Sequence, residues 1–143
     1  MGKTEQIADR LHSAAIHLLR RLRRADEAAG VSSARLSALS VLIYAGPCTM
    51  GRLAAIEQVR VPTMSRTVAA MERDGLVLRK RVAGDGRSVQ LSASAKGRRV
   101  LDRARHARLT LLTGALDSLS AAEREQVRVA LPLLERLSAA MDG

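Results

Sequence analysis

A chain of 143 residues has room for one compact domain and too little for a catalytic domain beside a binding domain. Lys and Arg number 24 against 14 Asp and Glu, a net charge of +10, and Tyr44 is the only aromatic residue. Without Phe or Trp the core must be built from Leu, Val, Ile, Ala and Met, which suits packed helices better than sheets.

In chain order, residues 5–28 read as an amphipathic helix. Ile7, Leu11, Ala14, Leu18, Leu22 and Ala25 recur every three or four positions, with Arg10, Arg20, Arg21, Arg23 and Arg24 beside them. Gly30 stops that helix, and Ser32 or Ser33 caps a second one carrying Leu36, Leu39, Leu42 and Ile43, ended by Gly46-Pro47. Thr49 caps a short helix over 50–57. After a turn through 58–61, Pro62 stands in the first turn of a further helix that ends at Asp74-Gly75. The period then changes. Residues 76–82 and 88–92 suit short strands, joined by the turn Ala83-Gly84-Asp85-Gly86-Arg87. A long helix follows from Ser94 to about residue 119. The capping-box spacing of Ser120 and Glu123 opens a last helix with the apolar stripe Val127, Leu131, Leu134 and Met141, which Pro132 should kink.

The charge is not spread evenly. Of the 24 cations 21 are arginines, and between Arg52 and Arg108 stand 14 cations and 5 anions, so one stretch holds +9 of the +10. Arginine meets phosphates and guanine edges with a planar fork that lysine lacks, so this stretch reads as a nucleic-acid face. Two helices joined by a tight turn and followed by a basic hairpin have the layout of a winged helix-turn-helix. In such a fold the second helix enters the major groove amino end first. Its early outward residues here are Pro62, Thr63, Ser65, Arg66 and Thr67; Met64, Val68 and Met71 seat its other face, and Arg73 stands in reach of a phosphate. Arg79, Lys80 and Arg81 on one arm and Arg87 on the other side give the hairpin its positive charge.

At these spacings the chain resembles the MarR family of bacterial regulators. The residues that carry the likeness are Leu53-Ala54, Val59, Pro62-Thr63-Met64-Ser65-Arg66, Gly75-Leu76-Val77, Arg79, Asp85-Gly86-Arg87 and Ser94-Ala95-Lys96-Gly97. The resemblance implies a mainly α fold with a small β-hairpin wing: a winged helix-turn-helix over about 32–97, flanked by dimerisation helices over about 1–30 and 98–143, in a single domain. It implies DNA contacts by Pro62, Thr63, Ser65 and Arg66, with Asp85 and Arg87 stabilising the wing and an arginine there approaching the minor groove. The wing's middle residue, Gly86, departs from the arginine common in relatives.

The apolar stripes of the first and last helices exceed what a DNA-binding core can bury, so a homodimer is expected, reading an inverted-repeat site in double-stranded DNA. The likeness also implies a repressor released by a small aromatic or phenolic effector, with His12, His17, Arg20, Tyr44 and Met50 as candidate pocket residues. No catalytic constellation is legible, and His12, His17 and His106 lack metal-site spacing, so neither an enzyme nor a metal or cofactor is expected. Lone Cys48 excludes an internal disulfide, and no apolar run of about 18 residues or export signal appears, so a cytoplasmic protein is expected. Two readings compete: an architectural nucleic-acid binder acting by charge alone, and a helical interaction module.

Overall fold

The computed structural model describes residues 1–84 and 88–142. In chain order these form α1 (Lys3–Ala28), α2 (Ser33–Tyr44), α3 (Met50–Ile56), α4 (Val61–Arg73), β1 (Val77–Arg81), β2 (Val89–Ala93), α5 (Ala95–Asp117) and α6 (Ala121–Met141). The mainly α fold with a hairpin wing is therefore present, with boundaries within two residues of those read from the sequence.

Local chemistry sets those boundaries. The Ser32 hydroxyl accepts a hydrogen bond from the Arg35 amide (3.3 Å), and Thr49 Oγ1 accepts one from the Arg52 amide (3.2 Å), satisfying donors that a helix start leaves open. Between α3 and α4 the chain turns through Gln58, a non-glycine residue at φ 56°, and the Val59 amide donates to the Ala54 carbonyl (3.0 Å). Gly75, at φ 74°, ends α4 and turns the chain straight into β1. Ser120 and Glu123 bond reciprocally, amide to side chain, at 2.9 and 3.1 Å, as the capping box predicts. Pro132 brings no amide to α6, and the helix continues to Met141.

β1 and β2 pair antiparallel, with Val77 opposite Ala93, Arg79 opposite Leu91 and Arg81 opposite Val89. One further residue joins the ladder: Cys48 exchanges both backbone hydrogen bonds with Leu91 (3.2 and 2.8 Å). That bridge ties the segment before α3 to the wing.

The chain divides into two compact units, Met1–Arg108 and Leu109–Gly143. The first holds the core: Leu39 and Leu42 of α2, Leu53 of α3, Val68 and Met71 of α4, and Leu91 of β2 are each less than 2 % exposed. The second unit, among its described residues, buries no side chain.

Gly97 fixes how α5 leaves the hairpin. A Cβ there would lie 2.3 Å from the Leu76 carbonyl oxygen and 3.1 Å from Leu39 Cδ2, so the helix can approach only with a hydrogen at that position. The Ser94 hydroxyl completes the junction, donating to the Gly75 carbonyl (2.5 Å) and accepting from the Gly97 amide (3.0 Å). Helix propensity alone would make Gly97→Ala stabilising by about 1 kcal/mol. The backbone clash reverses the sign, and the substitution should lower stability by about 1–3 kcal/mol, read as a drop in the urea midpoint.

Asp26 at the end of α1 is completely buried and ionised. Arg108 of α5 grips it with both branches of its guanidinium (Nε to Oδ1 at 2.7 Å, a terminal nitrogen to Oδ2), and the Ser33 hydroxyl donates to Oδ2 at 3.1 Å. Arg108 thereby holds the Asp26 carboxyl below the usual carboxylate range despite its burial, and Ser33 assists. The pair ties α1, the start of α2 and α5 together.

Candidate nucleic-acid interface

The faces of α4 separate cleanly. Met64, Val68 and Met71, spaced by four and three residues, are buried against the core. On the other side Pro62, Thr63, Arg66 and Arg73 are exposed, and Ser65 and Thr67 are half-buried. The Thr67 hydroxyl donates back to the Thr63 carbonyl (3.2 Å), so of the two hydroxyls Ser65's is the freer. Arg60 stands at the N-cap and gives no side-chain cap, which leaves the first amides of α4, the positive end of its dipole, open outward.

The carboxyl end of α4 is held instead. Glu72 Oε1 pairs with Arg79 Nε of β1 at 2.6 Å, and Asp74 Oδ2 pairs with an Arg35 terminal nitrogen of α2 at 2.6 Å. Lys96 Nζ of α5 donates to the Asp74 carbonyl at 2.8 Å. Of the wing residues singled out in the sequence, Lys80 and Arg81 are exposed, whereas Arg79 is engaged with Glu72. Asp85, Gly86 and Arg87 lie outside the described residues.

A pocket of about 350 Å³ opens between α1, α2 and α5, walled by Leu19, Leu36, Tyr44, Leu101 and Ala104. Its polar lining comes from Ser33, Ser37 and Ser40 and from Arg23, Arg105 and Arg108. Tyr44 was the one candidate pocket residue that the structure places here. His12, His17 and Arg20 are exposed on α1 and do not line it; Met50, at the start of α3, packs against the core instead. Burial pushes the Cys48 thiol above its ordinary pKa, with Arg52 opposing, so little of it is the reactive thiolate near neutrality.

Residues 31–89, from the loop before α2 to the first residue of β2, match the model of the MarR family. An HTH-type transcriptional regulator of Mycobacterium tuberculosis is 37 % identical over 129 residues, which cover 90 % of each chain. The chain belongs to the MarR family. It is accordingly a transcription regulator that binds DNA through a winged helix-turn-helix, not an enzyme. A MarR family protein from Bacillus stearothermophilus has the same fold over the whole length, with a TM-score of 0.85 at 26 % identity, covering 100 % of this chain and 99 % of that one. The protein NadR, solved in complex with 4-hydroxyphenylacetate, shares the fold with a TM-score of 0.68 at 21 % identity, covering 96 % and 95 % of the two chains.

Within this MarR-family chain, sequence reasoning missed that Arg35, Arg79 and Arg108 are committed to carboxylates of other elements. Arg98, Arg99, Arg103 and Arg105 of α5 are exposed, but Arg108 turns inward to Asp26. The available signal was Asp26 itself, an acidic residue on the same side of α1 as Leu22, four positions earlier, where a lone carboxylate needs a partner.

Proposed function

We propose that this regulator acts in the cytoplasm as a homodimeric repressor, bound to an inverted-repeat operator and released by a small aromatic or phenolic effector. The observation that carries the reading is the division of α4: an amino half presenting Thr63, Ser65 and Arg66 outward, over a face that Met64, Val68 and Met71 anchor to the core. Open amides at the same end suit a phosphate, while Arg66 has the reach and the fork for a guanine edge. Lys80, Arg81 and the segment Asp85-Gly86-Arg87 would follow the neighbouring backbone and minor groove, and Arg73 a phosphate.

Two-fold pairing is supported by what the protomer leaves uncovered. Ile7, Leu18 and Leu19 of α1 and Val129, Leu133 and Leu137 of α6 are each more than 40 % exposed. In this reading the whole chain is one functional module, about 32–97 reading DNA and about 1–30 and 98–143 joining the subunits.

An effector site is supported by the pocket, whose volume suits a ligand of one aromatic ring and whose Arg23 and Arg105 suit an acidic group, Arg108 being paired with Asp26. The complex of NadR with 4-hydroxyphenylacetate, a phenol carrying an acetate side chain, is consistent with that chemistry.

Footprinting on the gene's own upstream DNA, with unrelated duplex as competitor, tests the reading. A protected inverted repeat held roughly a thousandfold or more above competitor is expected. Equal affinity for both duplexes, falling steeply with salt, would instead identify the architectural binder.

A further inference from the structure

We propose that Glu72 and Asp74 are positioning residues for DNA recognition: with Arg79 and Arg35 they fix the angle at which α4 leaves the domain, and those two arginines act on α4 rather than on phosphate. The inference rests on the reading of α4 as the recognition helix.

Glu72 and Asp74 are two of only five anions in the stretch 52–108, where every anion repels DNA. Both stand at the end of α4 remote from its open amides, and both are paired at 2.6 Å. Their partners come from different elements, β1 and α2, and Lys96 of α5 grips the Asp74 carbonyl as a third tie. At the amino half, the side chains of Thr63, Ser65 and Arg66 make no bond to another element among the described residues. The polar ties of the helix to other elements are thus at its carboxyl end, and its amino half is held by the packing of Met64 and Val68.

All four paired side chains are between 29 % and 52 % exposed, and ion pairs so exposed add little to stability. Direction is where they matter. A helix of 13 residues is about 20 Å long, so a tilt of roughly 10° about its carboxyl end moves the amino end by about 3 Å, enough to lose a base contact.

The test measures binding of the full-length protein to one operator duplex by fluorescence anisotropy, from about 50 to 300 mM KCl. The variants are Glu72→Gln, Arg79→Gln, the swap Glu72→Arg with Arg79→Glu, and Arg66→Ala as reference, each first shown by its thermal melt to be folded. A positioning role predicts that Glu72→Gln weakens binding about two- to tenfold although it removes a repulsive charge. Arg79→Gln should weaken it similarly without changing the salt slope, and the swap should restore it to within about twofold. Binding unchanged or tightened by Glu72→Gln, a slope lowered by about one by Arg79→Gln, or a swap that fails to recover would each overturn the proposal. If Arg66→Ala also leaves binding intact, the recognition-helix reading falls as well. If Arg66→Ala weakens binding while Glu72→Gln does not, only the present inference falls.

Discussion

Replacing Arg108 with alanine should destabilise the protein by about 3–5 kcal/mol, the largest single-site loss expected in the chain. The substitution strips the bidentate partner from a carboxylate that is completely buried and leaves the Ser33 hydroxyl to serve it alone. Arg108 keeps a third of its side-chain surface exposed, so water can enter behind the truncation, which favours the lower end of that range. Replacing both partners with apolar residues, Asp26→Leu with Arg108→Met, should recover much of the loss, because an unpaired buried charge costs more than no charge. The pH dependence carries a definite sign. The Asp26 carboxyl is held below its ordinary pKa in the folded state, so the pair's contribution is complete above about pH 4 and is lost as pH falls through the folded value. Urea unfolding at several pH values should therefore show the gap between the native protein and Arg108→Ala narrowing as pH falls. A constant gap down to about pH 2 would mean that Asp26 is not ionised in the fold.

Leu133→Asp combined with Leu137→Asp should convert a dimer into a monomer and reduce operator affinity by about 10²–10⁴. Both leucines are at least half exposed on α6, a helix of 21 residues that buries none of them within the protomer. On α1, 26 residues long, Asp26 alone is buried. Helices of that length gain most of their stability from packing an apolar face, and a second copy of the chain is the simplest cover for both. Sedimentation velocity reads the first effect and DNA titration the second. Loss of half-site coupling accounts for the size of the drop, since a lone winged helix retains one set of contacts. The melting temperature of the native protein should also rise with its concentration. A native protein that sediments as a monomer at every concentration would contradict this part of the account.

What was legible in the sequence was local. The capping residues Ser32, Thr49 and Ser120, Pro62 at the start of α4 and Gly75 past its end each act within one turn of chain, so residue identity alone marks the helices. The outward row of α4 was legible for the same reason, through the helical spacing of Met64, Val68 and Met71. What escaped was non-local. Asp26 and Arg108 stand 82 positions apart, and Arg35 and Asp74 stand 39 apart; nothing in the spacing of either residue points to the other. The Cys48 bridge to Leu91 involves a single residue, too short to show the alternation by which a strand is recognised. Of the five candidate pocket residues, Tyr44 alone lines the cavity. Tyr44 stood out as the sole aromatic, but the arginines that line the cavity were indistinguishable in sequence from the many that face solvent.

The central claim is that the amino half of α4 reads bases. Selecting bound duplexes from a random pool, once with the native protein and once with Arg66→Ala, tests it most directly. The native protein should enrich an inverted repeat with half-sites about one helical turn apart. Arg66→Ala should lose about 1–3 kcal/mol and relax one base position in each half-site. An identical motif from both proteins, or no enrichment from either, would contradict the account.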